Sequence, residues 1–333
     1  MSVPLMMTAI LARAAGAPDV LEPAEVQVPT PAPGEVLIRV AGAGVNAPDL
    51  AQRRGDYPPP QGHSPILGLE VSGEIVSAAG EWTIGDKVVA LCNGGGYAEY
   101  VAVPVGQVLP APEGWPLSDA AILPETWFTI TQTLVMRAGL RAGQTVLITG
   151  AAGGLGGTAI QVALILGATP IAIVGDHEKA DYVRTLGAAA IIRHDAEDVL
   201  ARTRELTDGG GADIVLDMLG GPATARHIDA AARFGHIVMV GTQADRNSNL
   251  PLNKLIAKQL TISGSTLRHQ ATATKAAIAA RLRADLWPAL SNPSLPRPRI
   301  THYPLRDAAD AHRAFEERNH YGKTVLLTDF GFR

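Results

Sequence analysis

The chain has 333 residues, of which 47% are hydrophobic and 18% are charged, and its 28 basic and 32 acidic residues give a formal net charge of -4. This composition indicates a globular protein of two domains and excludes a disordered chain, and the balanced charge gives no electrostatic case for a nucleic-acid partner. The single cysteine, Cys92, excludes a disulfide framework and a zinc lobe built from four cysteines.

The segment from Met1 to Met7 carries no basic region and no long apolar run, and no stretch of about eighteen apolar residues follows. We therefore expect a cytoplasmic protein with no signal peptide and no membrane partner. The arginine pairs Arg53–Arg54 and Arg297/Arg299 are interpreted as solvated surface groups rather than as a nucleic-acid site.

The first third of the chain is predicted to be rich in short strands. Gly55 to Pro65 is too rich in proline for a regular element and predicts a loop. Alternating or apolar runs next to glycine turns predict strands at Glu35–Val40, Gly68–Val76, Val88–Leu91 and Tyr97–Val103. Many short strands with such turns indicate a small barrel-like β domain.

The pattern changes near Leu117, after which helices are predicted at Ser118–Leu123, Thr126–Met136, Gly156–Leu166 and Lys179–Leu186. Apolar strands are predicted at Val146–Thr149, Pro170–Val174, Ala190–Ile192, Ile214–Asp217, His236–Val240 and Leu260–Ser263. Apolar strands that alternate with helices are typical of an α/β fold with a doubly wound parallel sheet. The remainder, from Thr272 to Arg333, is predicted to hold two helices and two strands.

A strand, a glycine turn and a helix start follow one another from Val146 to Gly157. Glycine lets backbone approach a pyrophosphate closely, and the helix N-terminus offers free N–H groups to it. A second strand follows after about twenty residues, as in dinucleotide-binding folds. The cofactor-binding residues predicted here are Ala152, Gly153, Gly154, Leu155 and Gly156. A tight structural turn is the alternative, and the first fingerprint position is Ala151 instead of glycine.

Four segments of the chain, in this order and spacing, resemble the zinc-free quinone oxidoreductase branch of the medium-chain dehydrogenase/reductases, and within it the tumour-suppressor-inducible type. They are residues 45–60, 66–73, 123–129 and 264–268. The resemblance covers nearly the whole chain. It implies a GroES-like catalytic domain over residues 1–124, a Rossmann dinucleotide-binding domain over 125–264 and a return to the catalytic domain over 265–333. It also implies a homodimer joined through the last strands of the Rossmann domain.

The resemblance further implies an enzyme without a metal. Zinc-dependent members of the superfamily carry a cysteine ligand at the position of Asn46 and a histidine ligand at the position of Leu69. Amide and alkyl side chains do not replace thiolate and imidazole as zinc ligands. Without a Lewis acid, the hydride acceptor is expected to be electrophilic by itself, such as a quinone or an α,β-unsaturated carbonyl.

The resemblance implies that Asn46, Tyr57 and Gln52 are catalytic. Asn46 is expected near the nicotinamide ribose or the substrate oxygen, with a structural turn cap as the alternative. Tyr57 is expected on the loop over the substrate, with packing against the proline loop as the alternative. In the related enoyl-thioester reductases, the tyrosine of this loop donates a proton. Gln52 and Tyr97 are weaker pocket candidates.

Four further residues are expected to bind the cofactor. Thr129 resembles a threonine that contacts the nicotinamide end. Arg268 resembles a basic residue that reaches the cofactor from the far side of the cleft, and a surface ion pair is the alternative. Gly241 and Thr242 end a parallel strand at the carboxyl edge of the sheet, where ligands collect.

The choice between NADPH and NADH rests on the residues after the second parallel strand. Val174 stands where NAD enzymes usually carry the acid that binds the ribose hydroxyls, which argues against NAD. Asp176 opposes a 2′-phosphate by charge repulsion, and its distance from the glycine loop suits NAD. The resemblance implies a phosphate site formed by Gly175, Lys179 and His194, which stands at the position of a family tyrosine, and Arg193 beside it adds a second cation. We expect NADPH, with NADH possible.

Three hypotheses for function follow. The first is an NADPH-dependent reductase of a small-molecule quinone or enone. The second is an enoyl-thioester reductase, which a basic channel for a phosphopantetheine arm would distinguish. The third is a cofactor-binding structural or redox-sensing protein with little turnover, which a turnover assay separates from the two enzymes.

Overall fold

The computed structural model describes residues 3–317 and 320–332. The chain divides into two compact units. Unit 1 consists of the residues up to Phe128, Arg268–Pro293 and the residues from Arg299 onward, and unit 2 consists of Thr129–Leu267 and Ser294–Pro298.

The N-terminal part of unit 1 is mostly β-structure. Its strands are β1 (Met6–Ala12), β2 (Leu21–Gln27), β3 (Glu35–Val45), β4 (Glu70–Ser77), β5 (Lys87–Leu91), β6 (Tyr100–Pro104) and β7 (Val108–Pro110). Its helices are α1 (Ala47–Arg54), α2 (Leu117–Ala120) and α3 (Leu123–Ile130), whose last two residues belong to unit 2, with single 3₁₀ turns at Pro18–Val20 and Val105–Gln107.

Unit 2 alternates strands and helices, and the C-terminal segments complete unit 1. Unit 2 contains a π-helix (Thr131–Arg137), β8 (Thr145–Ile148), α4 (Gly154–Ile165), β9 (Thr169–Val174), α5 (His177–Thr185), β10 (Ala190–Arg193), α6 (Val199–Leu206), β11 (Ala212–Asp217), α7 (Gly221–Ala230), β12 (Ala231–Met239), α8 (Leu252–Lys258) and β13 (Thr261–Gly264). The C-terminal segments of unit 1 are α9 (Thr272–Asp285), β14 (Ile300–Pro304), α10 (Ala308–Glu316) and β15 (Lys323–Leu327), with 3₁₀ turns at Trp287–Ser291 and Leu305–Asp307.

The main sheet of unit 1 has the order β14-β15-β3-β4-β5-β7, with β6 also paired to β3. Only the β14–β15 pair is parallel, and β1 and β2 form a separate antiparallel pair. The core lies against β3, β4 and β5 and contains Ile38, Val71 and Val88. Gly44 in β3 is required by packing, because a Cβ there would collide with the carboxylate of Glu70.

The sheet of unit 2 is parallel throughout and has the order β10-β9-β8-β11-β12-β13. This is the dinucleotide-binding order 3-2-1-4-5-6, in which ligands bind outside the carboxyl ends of the strands where the order reverses. Leu147, Ile171, Val215 and Ile237 form part of its core. Parallel strands are buried on both faces, which explains their continuous apolar runs. The predicted fold class is confirmed.

One predicted helix and one predicted surface pair differ from the structure. The helix predicted over Thr126–Met136 is instead α3 up to Ile130, followed by the π-helix. The prediction of a solvated Arg53–Arg54 pair was wrong for Arg53, which is 2% exposed, donates to Gly16 O at 3.0 Å and lies 2.6 Å from Glu316. No described helix is long and apolar enough to cross a membrane.

Candidate active site

Unit 1 contains a buried polar cluster formed by Asn46, Glu70 and Lys323. Asn46 Nδ2 donates to Glu70 Oε1 at 2.7 Å, and Lys323 Nζ donates to both Asn46 Oδ1 at 2.7 Å and Glu70 Oε1 at 2.6 Å. All three residues are buried, and the ion pair between Lys323 and Glu70 offsets the cost of removing the two charges from water. The amide of Asn46 is therefore held in one orientation by an acceptor and a donor.

Asn46 owes its position to the start of α1, where it is the N-cap residue. Asp49 Oδ2 accepts the N–H of Asn46 at 2.9 Å, and Asp49 Oδ1 accepts the N–H of Gly68 at 3.0 Å. Burial raises the pKa of Asp49 to about 6, against the lowering effect of these two bonds. Asn46 is therefore a structural cap, as the alternative interpretation expects, and its side chain is also part of the buried cluster.

Glu125, in the first turn of α3, is joined to the same cluster through its backbone. Its N–H donates to Glu70 Oε2 at 2.8 Å. Burial, with the charges of Glu70 and Asp49, raises the pKa of the Glu125 carboxyl to about 8. Glu125 was not predicted to be a site residue, because an isolated glutamate near a helix start is ordinary helix composition.

A second cluster in unit 1 joins Gln52, Tyr57 and Arg268. Arg268 donates to Gln52 Oε1 and, at 3.3 Å, to the carbonyl of Tyr57, and its guanidinium lies 5.1 Å from the Tyr57 ring centre. The Tyr57 hydroxyl is 3.2 Å from His269 Nδ1. Arg268 is buried with neutral partners, so the alternative of a surface ion pair is wrong for it. Three residues predicted separately along the chain therefore lie together.

Lys275 lies beside this second cluster and was not predicted. It is 2% exposed, and its Nζ donates to Asn93 Oδ1 at 2.7 Å and to Arg268 O at 3.2 Å. Burial lowers its pKa. Burial and the nearby cations Lys275 and Arg268 also lower the pKa of His63. No local sequence pattern predicts that Lys275 is a site residue, because it looks like an ordinary charged residue of α9.

Tyr97, a weaker pocket candidate from the sequence, is fully buried in the core of unit 1. Its hydroxyl is 3.0 Å from His312 Nε2, and Arg53 Nη1 is 3.3 Å from His312 Nδ1. Burial lowers the pKa of His312 to about 3, so the imidazole is neutral at physiological pH. Tyr97 therefore belongs to a buried hydrogen-bonded chain and lines no open surface.

The glycine loop of unit 2 connects β8 to α4. Gly150 has a φ of 59°, which favours glycine, and Gly153 is the N-cap of α4. A Cβ on Gly156 would collide with Ala151 Cα and lie 2.5 Å from Gly150 O, so only glycine lets the helix approach the loop. The first amides of α4 have no partner within the helix and are available to an anion. The loop therefore fits the pyrophosphate of a dinucleotide.

The predicted selectivity residues lie together at the carboxyl ends of β9 and β10. A Cβ on Gly175 would be 3.2 Å from His194 Nε2, which places these two residues side by side. Asp176 caps α5 by accepting the N–H of Lys179 at 2.8 Å, and Lys179 Nζ is 3.0 Å from its carboxylate. These contacts with Lys179 lower the pKa of Asp176.

Arg193 is paired with an acid as well. Its guanidinium makes two contacts with Asp195, at 2.8 and 3.2 Å. Both predicted phosphate-binding cations are thus held by carboxylates in this structure, and a bound phosphate would have to compete with them.

The remaining predicted cofactor residues lie in unit 2. Thr129 is in the last turn of α3 and is partly exposed, with its carbonyl accepting the Thr133 hydroxyl. Gly241 and exposed Thr242 follow β12 at the carboxyl edge of the parallel sheet. A Cβ on Gly220 would lie 3.1 Å from Thr242 Cα, so the loop after β11 passes close to the backbone of Thr242.

Within residues 3–317 and 320–332, no group of three or more His, Cys, Asp or Glu side chains could hold a metal ion. The positions of the zinc ligands in related enzymes carry Asn46, hydrogen-bonded as above, and buried Leu69. Neither side chain is a zinc ligand.

A GroES-like unit and a parallel dinucleotide-binding sheet together define a nicotinamide-dependent oxidoreductase class. Residues 32–113 match the alcohol dehydrogenase GroES-like domain family, and residues 154–281 match the zinc-binding dehydrogenase family. A quinone oxidoreductase of Pseudomonas aeruginosa is 32% identical over 94% of this chain and 97% of its own length. The chain belongs to the medium-chain dehydrogenase/reductase superfamily, with quinone oxidoreductases among its full-length relatives.

Solved structures give the same assignment. Escherichia coli quinone oxidoreductase complexed with NADPH superimposes with a TM-score of 0.84 at 26% identity, covering 96% of this chain and 99% of that chain. An NAD-dependent alcohol dehydrogenase superimposes with a TM-score of 0.82 at 31% identity, with the same coverage.

Some relatives are much longer than this chain. It spans 14% of a mycocerosic acid synthase-like polyketide synthase of Mycobacterium tuberculosis, to which it is 31% identical over 89% of its own length. It also spans 64% of a quinone oxidoreductase-like protein 2 homologue of Nematostella vectensis. The chain therefore spans less than two thirds of the length of each of these two relatives.

Proposed function

We propose that this protein transfers a hydride from NADPH to a small quinone or α,β-unsaturated carbonyl without a metal ion, in the cytoplasm. The observation that carries the proposal is the Asn46–Glu70–Lys323 cluster at the position of the zinc site of related enzymes. It offers hydrogen-bonding groups in a fixed arrangement in place of a Lewis acid. Such groups orient and stabilise an acceptor that is already electrophilic.

Residues of unit 1 would bind and orient the acceptor. Asn46 would hydrogen-bond near the nicotinamide ribose or the substrate oxygen, and Tyr57 and Gln52 would cover the substrate. Arg268 holds both of these covering residues through its contacts with the Gln52 side chain and the Tyr57 carbonyl.

Residues of unit 2 would bind the dinucleotide. The loop formed by Ala152 to Gly156 would hold the pyrophosphate on the N-terminus of α4. Thr129 and Thr242, with Gly241, would lie towards the nicotinamide. NADPH supplies the hydride when bound, and the chain supplies orientation and exclusion of water.

NADPH is proposed over NADH because Lys179 and Arg193 provide two cations beside Gly175 and His194. A 2′-phosphate would take over these cations from Asp176 and Asp195, which hold them in salt bridges here. The exchange is feasible because all four side chains are near the surface, where such pairs are weak. Asp176 is the group that opposes the phosphate.

A second candidate is an enoyl-thioester reductase, which the polyketide synthase relatives favour. The basic residues identified in unit 1, Arg268 and Lys275, are buried and already have partners. They do not form an exposed basic path for a phosphopantetheine arm, so we keep the quinone or enone as the proposed acceptor.

A stopped-flow panel tests the proposal. The purified full chain is mixed with quinones, simple enones and an enoyl-CoA, each with NADPH and with NADH, and nucleotide oxidation is followed. We expect turnover of quinones or enones with NADPH, unchanged by Glu113→Gln, an exposed control. Faster reduction of the enoyl-CoA would favour the thioester reductase, and no oxidation with any acceptor would favour a non-catalytic protein.

A further inference from the structure

Glu125 lies in a densely hydrogen-bonded region of unit 1. Its backbone N–H is bound to Glu70, but within residues 3–317 and 320–332 its carboxyl group makes no hydrogen bond or ion pair. Glu125 is partly exposed, whereas its neighbours Pro124 and Thr126 are buried. Glu125 therefore lies next to the buried cluster that holds Asn46 and remains partly accessible.

The cations around Glu125 are already engaged. Lys323 is bound by Asn46 and Glu70, and Lys275 by Asn93 and the Arg268 carbonyl. Arg268 is bound to Gln52 and to the carbonyl of Tyr57. The charges of Lys323 and Lys275 lower the pKa of Glu125 only partly.

The acids around Glu125 raise the pKa of its carboxyl group. Glu70 and Asp49 are fully buried, and the thiol of Cys92 lies in the same region with its own pKa raised by burial. Burial and the two carboxylates outweigh the cations and the favourable end of the α3 dipole, and they raise the pKa of Glu125 to about 8. Glu125 is therefore mostly protonated at neutral pH.

We propose that Glu125 is the proton donor of the reduction, an inference that rests on the proposed function. Hydride, with its electron pair, leaves NADPH and forms a C–H bond at the β carbon of an enone, while the π electrons move to the carbonyl oxygen. The Glu125 O–H bond then breaks, and its proton goes to the resulting enolate. NADPH is oxidised to NADP⁺, the enone is reduced, and the Glu125 carboxylate takes a proton from water.

The need for this proton depends on the acceptor. A hydroquinone anion is a phenolate, with a pKa of about 10 for its conjugate acid, and it leaves the site without help. An enolate is much more basic and reverts unless it is protonated in place. Loss of Glu125 is therefore expected to damage enone reduction more than quinone reduction.

The test compares the wild type with Glu125→Gln, Tyr57→Phe and the exposed control Glu113→Gln. Each full-length protein is saturated with NADPH, and kcat for one enone and one quinone is measured from about pH 6 to pH 10. For the wild type we expect enone reduction to fall above about pH 8. For Glu125→Gln we expect a loss of about 100-fold or more with the enone, less than about tenfold with the quinone, and no alkaline fall.

Binding of NADPH, measured by fluorescence, is expected to be the same for Glu125→Gln and the wild type, which separates a proton donor from a structural residue. The inference is overturned if Glu125→Gln keeps the enone rate or its alkaline fall, or if Tyr57→Phe alone removes that fall. Absence of turnover in the wild type with every acceptor would instead refute the proposed function, and this inference with it.

Discussion

Asp176 combines two effects that can be separated by substitution. Its carboxylate caps α5 and pairs with Lys179, but it also repels a 2′-phosphate. Serine is an equally good N-cap, so Asp176→Ser removes the charge while keeping the helix start. We expect NADPH affinity to rise roughly three- to tenfold, with a smaller gain in added salt because the site is near the surface. Titration of nucleotide fluorescence at two salt concentrations checks this, and Asp176→Asn separates charge from hydroxyl.

Lys179 and Arg193, the two cations of the same site, should strengthen NADPH binding, whereas Asp176 weakens it. Each charge-assisted hydrogen bond is worth roughly 1.5–3 kcal/mol, so the double variant Lys179→Ala/Arg193→Ala should weaken NADPH by about one to two decades per residue. NADH affinity should change little. Arg184→Ala, which removes another exposed ion pair of α5, is the matched control. Equal losses for both nucleotides would show that these side chains do not select the cofactor.

Asp217 is a structural acid at the carboxyl end of β11. Its carboxylate accepts from the N–H groups of Leu219 and Gly220 and from the Thr224 hydroxyl at 2.9, 3.1 and 2.7 Å, and His227 Nδ1 is 3.0 Å away. Burial raises its pKa, but the hydrogen bonds and the imidazole prevail and lower it to about 2. We expect Asp217→Asn to lower the free energy of unfolding by about 2–3 kcal/mol, because buried donors lose their acceptor.

The pH dependence of this contribution has a defined sign. The folded pKa is depressed below the unfolded value of 3.8, so the stabilisation is present above about pH 4 and is lost as the pH falls towards about 2. Urea unfolding of the wild type should show that loss, and Asp217→Asn should flatten it. Asp181→Asn, at an exposed position of α5, is the control. A difference below about 0.5 kcal/mol at neutral pH would contradict this account of Asp217.

At the level of elements, two substitutions in the β8–α4 connection can distinguish an effect on folding from an effect on nucleotide binding. Alanine at Gly156 would collide with Ala151, so Gly156→Ala should reduce both stability and dinucleotide affinity. Alanine at Gly153 would lie 3.4 Å from Gly150 O, an ordinary contact, so this variant should fold normally. Its methyl group would still obstruct a pyrophosphate, and we expect affinity to fall about tenfold or more. Thermal unfolding and nucleotide titration of both variants distinguish these effects, and unchanged affinity in Gly153→Ala would contradict the proposed binding loop.

The strands of the parallel sheet could be predicted because each is an apolar run between turn residues. β12 is the exception, since it begins at Ala231 although the sequence predicts a start at His236. Phe234, with a φ of 65°, and an irregular pairing with β11 interrupt its pattern. β3 also continues through Gly42 and Gly44 to Val45, because tertiary packing requires glycines that weaken the strand pattern.

In unit 1, candidate site residues could be selected from the sequence only where a resemblance supplied their positions. Asn46, Gln52, Tyr57 and Arg268 were selected in this way. The pair Glu70–Lys323 joins residues 253 positions apart, and no local pattern in a single sequence reveals such a contact. Glu125 was missed for the same reason, because its environment depends on buried acids from other elements.

At the level of the whole molecule, we propose a homodimer formed through β13. This strand ends the sheet of unit 2 among the described residues, and α8 just before it leaves Leu252 and Ile256 62% and 71% exposed. Pairing of two copies would cover an edge strand and this apolar surface. Ile256→Glu with Leu252→Glu should shift the mass in light scattering towards a monomer, while Ile84→Glu, at an equally exposed position of unit 1, should not. A monomeric wild type would refute the dimer.

The proposed reaction is a metal-free transfer of hydride from the nicotinamide ring to an electrophilic acceptor. The most direct measurement uses NADPH carrying deuterium at the transferred position of C4, an enone, the full chain and an excess of chelator, with mass spectrometry of the product. We predict one deuterium at the β carbon of the reduced enone, at a rate that the chelator leaves unchanged. Loss of turnover with chelator would show that the reaction needs a metal ion, and a reduced product without deuterium would show that the hydride does not come from the nicotinamide ring.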